Sequence, residues 1–154
     1  MMALINNKSL IIMKRFFFLF LLMPGICYSQ NQIPEIGDNL IIVRTFDSPD
    51  IAFSNMADIL YFSGLGISYS DRDLMMIEAH GEMNIFSSQL FIKVLQGDKT
   101  EIYIHGLYQI TNWSRISNRG GKDTPQMKVW KECNSIAKKY EGAEILYSKL
   151  DINQ

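Results

Sequence analysis

Two runs of alternating apolar residues flank a four-residue break, and this pairing constrains the fold more than any other feature of the chain. Leu90, Ile92 and Val94 take every second position of residues 89–95, and Ile102, Ile104, Tyr108 and Ile110 share the corresponding face of residues 100–111. Gln96-Gly97-Asp98-Lys99 lies between them and reads as a hairpin turn. A period of two sends alternate side chains to opposite faces of a sheet. The pattern therefore predicts an antiparallel pair with one face buried.

The rest of the chain supplies what that face needs. Residues 39–46 (NLIIVRTF) are β-branched and apolar and predict a strand. Ser48-Pro49-Asp50 then signals a helix start: a capping hydroxyl, a first-turn proline and an acid facing the helix dipole. Ala52, Phe53, Met56, Ile59, Leu60 and Phe62 form its apolar stripe, with Gly64 as the stop. Residues 67–70 and 74–80 predict two more strands around the polar turn Asp71-Arg72-Asp73. Residues 112–124 read as a polar loop. Thr124-Pro125 repeats the cap-plus-proline signal before a second stripe of Val129, Trp130, Cys133, Ile136, Ala137 and Tyr140, stopping at Gly142. Residues 144–147 predict a last short strand. The expected class is α+β: a curved antiparallel sheet with two helices packed on one face, in the order β-α-β-β-β-β-α-β, over a single domain of residues 39–150.

The first 29 residues carry a different signal. Lys14-Arg15 precedes eight apolar residues, Pro24-Gly25 breaks the run, and Cys27 and Ser29 are the small residues at −3 and −1 of a cut before Gln30. A basic segment, a short apolar segment and a small-residue site make a secretory signal peptide. Met13 reads as the natural start, with residues 1–12 upstream of it. Eight apolar residues are too few to span a bilayer, which takes about 20. Lipidation at Cys27 is the competing reading, against which Ile26 is a poor fit to the small residue expected before the cysteine. The expected location is thus secreted or periplasmic, with residues 30–38 as a leader, residues 151–154 as a tail and no membrane span in the mature chain. Cleavage takes three of the 15 basic residues and none of the 16 acidic ones, which leaves a net charge of −4. Such a chain is a poor candidate for nucleic acid. Its single cysteine, Cys133, allows no intrachain disulfide.

A secretion signal ending in Ser-Gln, a strand, a proline-started helix, β-hairpins and the strand Ile102-Tyr103-Ile104-His105-Gly106-Leu107-Tyr108-Gln109-Ile110-Thr111 together resemble small envelope proteins of Bacteroidota-type bacteria. In particular the chain is similar to a family of unknown function described as having a TATA-binding-protein-like fold. The similarity covers residues 39–112. It implies a curved antiparallel sheet carrying helices, and it implies no activity. The fold name gives no reason to expect DNA binding.

Candidate chemistry is sparse. His80 and His105 fall out of phase with the core positions of their strands. Two readings stand: solvated strand histidines, or zinc ligands together with Glu78 or Glu82. No H-x-H spacing favours the metal. Asp71-Arg72-Asp73 lacks the further ligands of a calcium loop and reads as a turn. Arg119, Gly120, Gly121 and Lys122 lie just before a helix start and are the best small-anion candidate, although Walker spacing is missing. Cys133 lies in an apolar stripe and reads as a buried thiol, not a nucleophile. Asn112-Trp113-Ser114 is a glycosylation sequon that matters only in a eukaryotic secretory route.

Leu74, Met76, Phe91, Leu95, Tyr103 and Leu107 are all expected on the sheet face that the helices leave open. Either a partner or second copy covers that face, or the strand phase is shifted. The leading functional expectation is a non-catalytic binding domain of the bacterial envelope. Phe91, Tyr103, His105 and Leu107 would form its contact face, and Arg119 and Lys122 would hold an anionic ligand. The alternatives are a small metal-dependent or hydrolytic enzyme using His80 and His105, and a small acidic inhibitor or immunity-type protein. No cofactor is implied.

Overall fold

The structure, a computed structural model, describes residues 30–83, 86–121 and 123–150. The signal-peptide reading of residues 1–29, Cys27 included, and the tail 151–154 lie outside the described residues.

Both helices begin where their caps predict. Ser48 stays extended (φ −64°, ψ 155°) and its side chain accepts from the Ile51 N–H, so α1 runs Pro49–Phe62. Thr124 does the same for the Met127 N–H, and α2 runs Pro125–Lys138. At the end of α1, Gly64 takes φ +80°, and the Leu65 N–H returns to the Leu60 carbonyl at 3.2 Å. Only glycine adopts that conformation without strain. The second helix ends four residues before Gly142, at a turn that still buries Tyr140.

The strands are β1 (Leu40–Thr45), β2 (Gly66–Asp71), β3 (Met76–Met83), β4 (Phe86–Gln96), β5 (Thr100–Gln109), β6 (Trp113–Arg115) and β7 (Glu144–Ser148). They form one open antiparallel sheet in the order β2-β3-β4-β5-β1-β7, with β6 added beside β5. The expected α+β class and element order therefore hold, with one addition: β6 lies inside the segment expected to be loop. Ile110 lies past the end of β5 and is exposed, whereas alternation had placed it on the inner face. Leu74 falls in the turn before β3, where Met75 takes φ +51°.

The register aligns Ile77, Ile92, Ile104, Ile41 and Tyr147 in one row across five strands. Val94, Ile102, Val43 and Ile145 form the next row. Both helices pack on this face: Ala52, Phe53, Met56 and Leu60 from α1, and Met127, Val129, Trp130, Cys133, Ile136 and Ala137 from α2. Each fully buried aliphatic side chain contributes about 1.5–3 kcal/mol to folding. Gly106 of β5 sits under α2, where a Cβ would lie 3.4 Å from the Cys133 sulfur and 3.1 Å from Ile116 Cδ1. The absence of a side chain there lets helix and sheet close.

Residues 30–38 are built into the fold as more than a leader. Asn31 exchanges two backbone hydrogen bonds with Tyr147 on the outer edge of β7. Asp38 is buried and its Oδ2 accepts from the Glu35 N–H at 2.7 Å. Asn118 joins this segment to the loop before α2: its N–H donates to the Asp38 carbonyl, and its side chain donates to the Glu35 carbonyl. Among the described residues no helix is long and apolar enough to cross a membrane.

Candidate functional site

The candidate site grows out of the pleat. Because Ile77, Ile92 and Ile104 point at the helices, their neighbours Glu78, Phe91 and His105 point away from them. The register sets these three side by side across β3, β4 and β5. Met76, Lys93, Tyr103, Ile42 and Leu146 form the next row. On the other side, His80, Gln89, Leu107 and Arg115 form a third. The strand phase read from the sequence is therefore the phase of the structure.

One end of this outer face is closed by the chain itself. Leu40, Ile42 and Leu146 are buried there, with Tyr103 and Leu150 packed against them. Asn39 exchanges two hydrogen bonds with Leu150, which holds the cover in place. Tyr103, one of the four expected contact residues, thus serves partly as a wall of this small core. Its hydroxyl donates to Glu101 Oε2 at 2.9 Å.

Neither α1 nor α2 lies over the other end. Phe91 and His105 stack there with ring centroids 5.0 Å apart and planes 14° from parallel. Burial pushes the His105 imidazole below its ordinary pKa, and the nearby Arg115 guanidinium pushes it further the same way. The ring is therefore neutral at pH 7 and extends the apolar platform of Phe91. Leu107 continues the platform along β5. Gln89 donates to Glu78 Oε2 at 3.3 Å, and Lys93 donates to the Leu74 carbonyl, so the polar rim is held by its own contacts.

His80 and His105 do not come together. Two strand spacings separate β3 from β5, about 10 Å, and the two histidines also stand in different rows. Among the described residues no three His, Cys, Asp or Glu side chains are placed to share a metal ion. Asp71 caps its own turn: it accepts from the Leu74 N–H at 2.8 Å and from the Tyr69 hydroxyl at 2.9 Å. These bonds hold its carboxyl below the ordinary range, the Leu74 bond most.

The loop before α2 uses its donors internally. The Arg119 N–H meets Met127 Sδ, the Gly120 N–H donates to Asn118 Oδ1, and the Arg119 side chain donates to Gln126 Oε1 at 3.1 Å. An anion cradle uses such N–H groups, and those of Arg119 and Gly120 are taken up within the loop, while Gly121 takes φ +61° beside them. Lys122 lies outside the described residues.

Three polar arrangements carry no signal at the level of sequence. Arg44 on β1 is clamped by Glu101 (2.5 Å), Gln30 (2.6 Å) and Glu144 (3.7 Å), beside a cavity of about 550 Å³ bounded by the β4–β5 turn. Tyr140 donates to Asp47 Oδ2 at 2.6 Å, and burial and that bond push the phenol up to about 12. Glu132 is half-buried on α2 and touches Ser88; burial raises its carboxyl, and the Ser88 bond opposes the rise. Cys133, beside it, is enclosed, and burial followed by the Glu132 charge pushes its thiol far above the ordinary range. It cannot supply a thiolate nucleophile.

Compared with known proteins, the chain matches no protein-family model and no curated protein.

Proposed function

We propose that this chain is an exported, non-catalytic binding domain of a bacterial envelope, with the fold relationship suggested by its sequence resemblance, and that it binds a protein partner through the open end of its outer sheet face. One observation carries the reading. The Phe91–His105 stack and Leu107 make an apolar centre on a face that neither α1 nor α2 covers, ringed by Glu78, Gln89, Lys93 and Arg115. An apolar centre inside a polar rim is the anatomy of a protein interface. A flat stack of two rings is the kind of anchor that dominates such an interface.

The test is photo-crosslinking in the envelope of the source cell, with a crosslinker at Gln89, comparing the native chain with the double variant Phe91→Ala, Leu107→Ser. The expected result is one crosslinked species that disappears in the variant while the fold, followed by circular dichroism, persists. The same species captured equally by both chains would sink the reading.

A further inference from the structure

The two edges of the sheet are treated differently. The β7 edge is covered by Asn31, which takes both hydrogen bonds at Tyr147. Among the described residues nothing pairs with the outer edge of β2, and all of its residues are exposed except Asp71, which is half-buried. Native edges are guarded by lysine, proline or inward charges, and Gly66-Ile67-Ser68-Tyr69-Ser70 contains none of these. Its one charge, Asp71, is turned back to cap the β2–β3 turn. The bulge between Ile67 and Tyr69 shortens the regular edge without blocking it.

The bare edge is also apolar. Ile67 and Tyr69 are 39% and 42% exposed, and Tyr61 and Phe62, at the end of α1 just before β2, are 70% and 81% exposed. The last two meet edge to face with centroids 5.4 Å apart. Taking roughly 150–250 Å² for each aromatic ring, the four side chains leave about 450 Å² of surface per copy.

We infer that β2 pairs with β2 of a second copy, antiparallel about a two-fold axis, to give a continuous sheet of twice the width. An edge strand is complementary to itself only in that arrangement. A foreign extended peptide would satisfy the backbone but leave the α1 corner uncovered. A second copy brings its own α1 alongside, because α1 packs directly on β2. The apolar area of the pair, with strand backbone added, comes to about 1,000–1,200 Å², the lower end for a specific interface. The dimer is therefore weak and concentration-dependent. The inference does not rest on the outer-face reading.

Sedimentation velocity of residues 30–154, from low micromolar to near-millimolar, tests it alongside amide hydrogen exchange. The expected result is a monomer–dimer equilibrium in which only β2 amides gain protection with concentration. Ile67→Lys with Tyr69→Lys abolishes both effects. Phe62→Ser, on an exposed helix position, weakens dimerisation by at least an order of magnitude and serves should the double variant misfold. Phe91→Ala leaves the dimer intact, which separates this surface from the outer face. A monomer at every concentration overturns the inference. So does a dimer that survives both edge variants with β2 amides exchanging freely, and so does protection of β2 that appears only when another protein is added.

Discussion

Phe91 and His105 stand directly opposite one another on β4 and β5, and their rings lie 14° from parallel with centroids 5.0 Å apart. The stack ties a titratable group to the centre of the proposed binding face. Burial and Arg115 both lower the His105 pKa, so the unfolded chain binds a proton more readily than the folded one. The stability this confers is present above about 6.5, the ordinary histidine value, and is lost as pH falls through the lowered value. Proton NMR should show His105 titrating below the ordinary value. Phe91→Ala, which uncovers the ring, should move it back up. An unmoved titration would mean that the stack is not what buries the histidine.

Glu132 gives the opposite slope. Its folded pKa is raised, so the carboxyl favours folding while protonated and disfavours it once pH rises through the folded value. Glu132→Gln should raise the melting temperature at pH 7 and change it little at pH 4. Equal effects at both pH values would show that the gain comes from packing, not from removal of a half-buried charge.

Gly106 admits α2 to the sheet because it has no side chain. Gly106→Ala places a methyl 3.1 Å from Ile116 Cδ1 and 3.4 Å from both the Cys133 sulfur and the Gln89 carbonyl. Overpacking of this kind costs about 1–3 kcal/mol, measurable as a lower urea midpoint with an unchanged slope. A neutral result would require α2 to ride further from the sheet than it does here.

The Arg44–Glu101 pair is mostly shielded from solvent, at 25% and 21% side-chain exposure, and bonds through two guanidinium nitrogens. A double-mutant cycle with Arg44→Ala and Glu101→Ala should return a coupling of about 0.5–3 kcal/mol. The upper part of that range exceeds the usual worth of an exposed pair. A coupling near zero would mark the contact as decoration on a face held by backbone pairing alone.

The sheet and both helices were legible because periodicity and capping are local. Ile102 and Ile104 announce their face within three residues, and Ser48 and Thr124 announce their helices within four. The strand β6 was not legible: Trp113-Ser114-Arg115 is too short for any period, and it exists because β5 offers it an edge. Nor was the docking of residues 30–38, whose partner Asn118 lies some eighty positions away. The Arg119–Gly121 segment has the composition of an anion loop, but composition is blind to the partners that the Arg119 and Gly120 N–H groups find in the fold, namely Met127 and Asn118. Of the expected contact face, Phe91, His105 and Leu107 came together as the pleat required. Tyr103 was diverted to the small core of Leu40, Ile42 and Leu146, a packing that no local pattern encodes.

Leu40 pairs with Ser148, and Asn39 with Leu150, so β1 begins and β7 ends on adjacent strands at the same end of the sheet. The mechanical result follows from that geometry. Tension applied through both ends first pulls on the docked 30–38 segment, including the Asn31–Tyr147 bonds, and then opens the β1–β7 rungs one at a time, as in unzipping. Such a domain yields at low force as a link in a stretched chain.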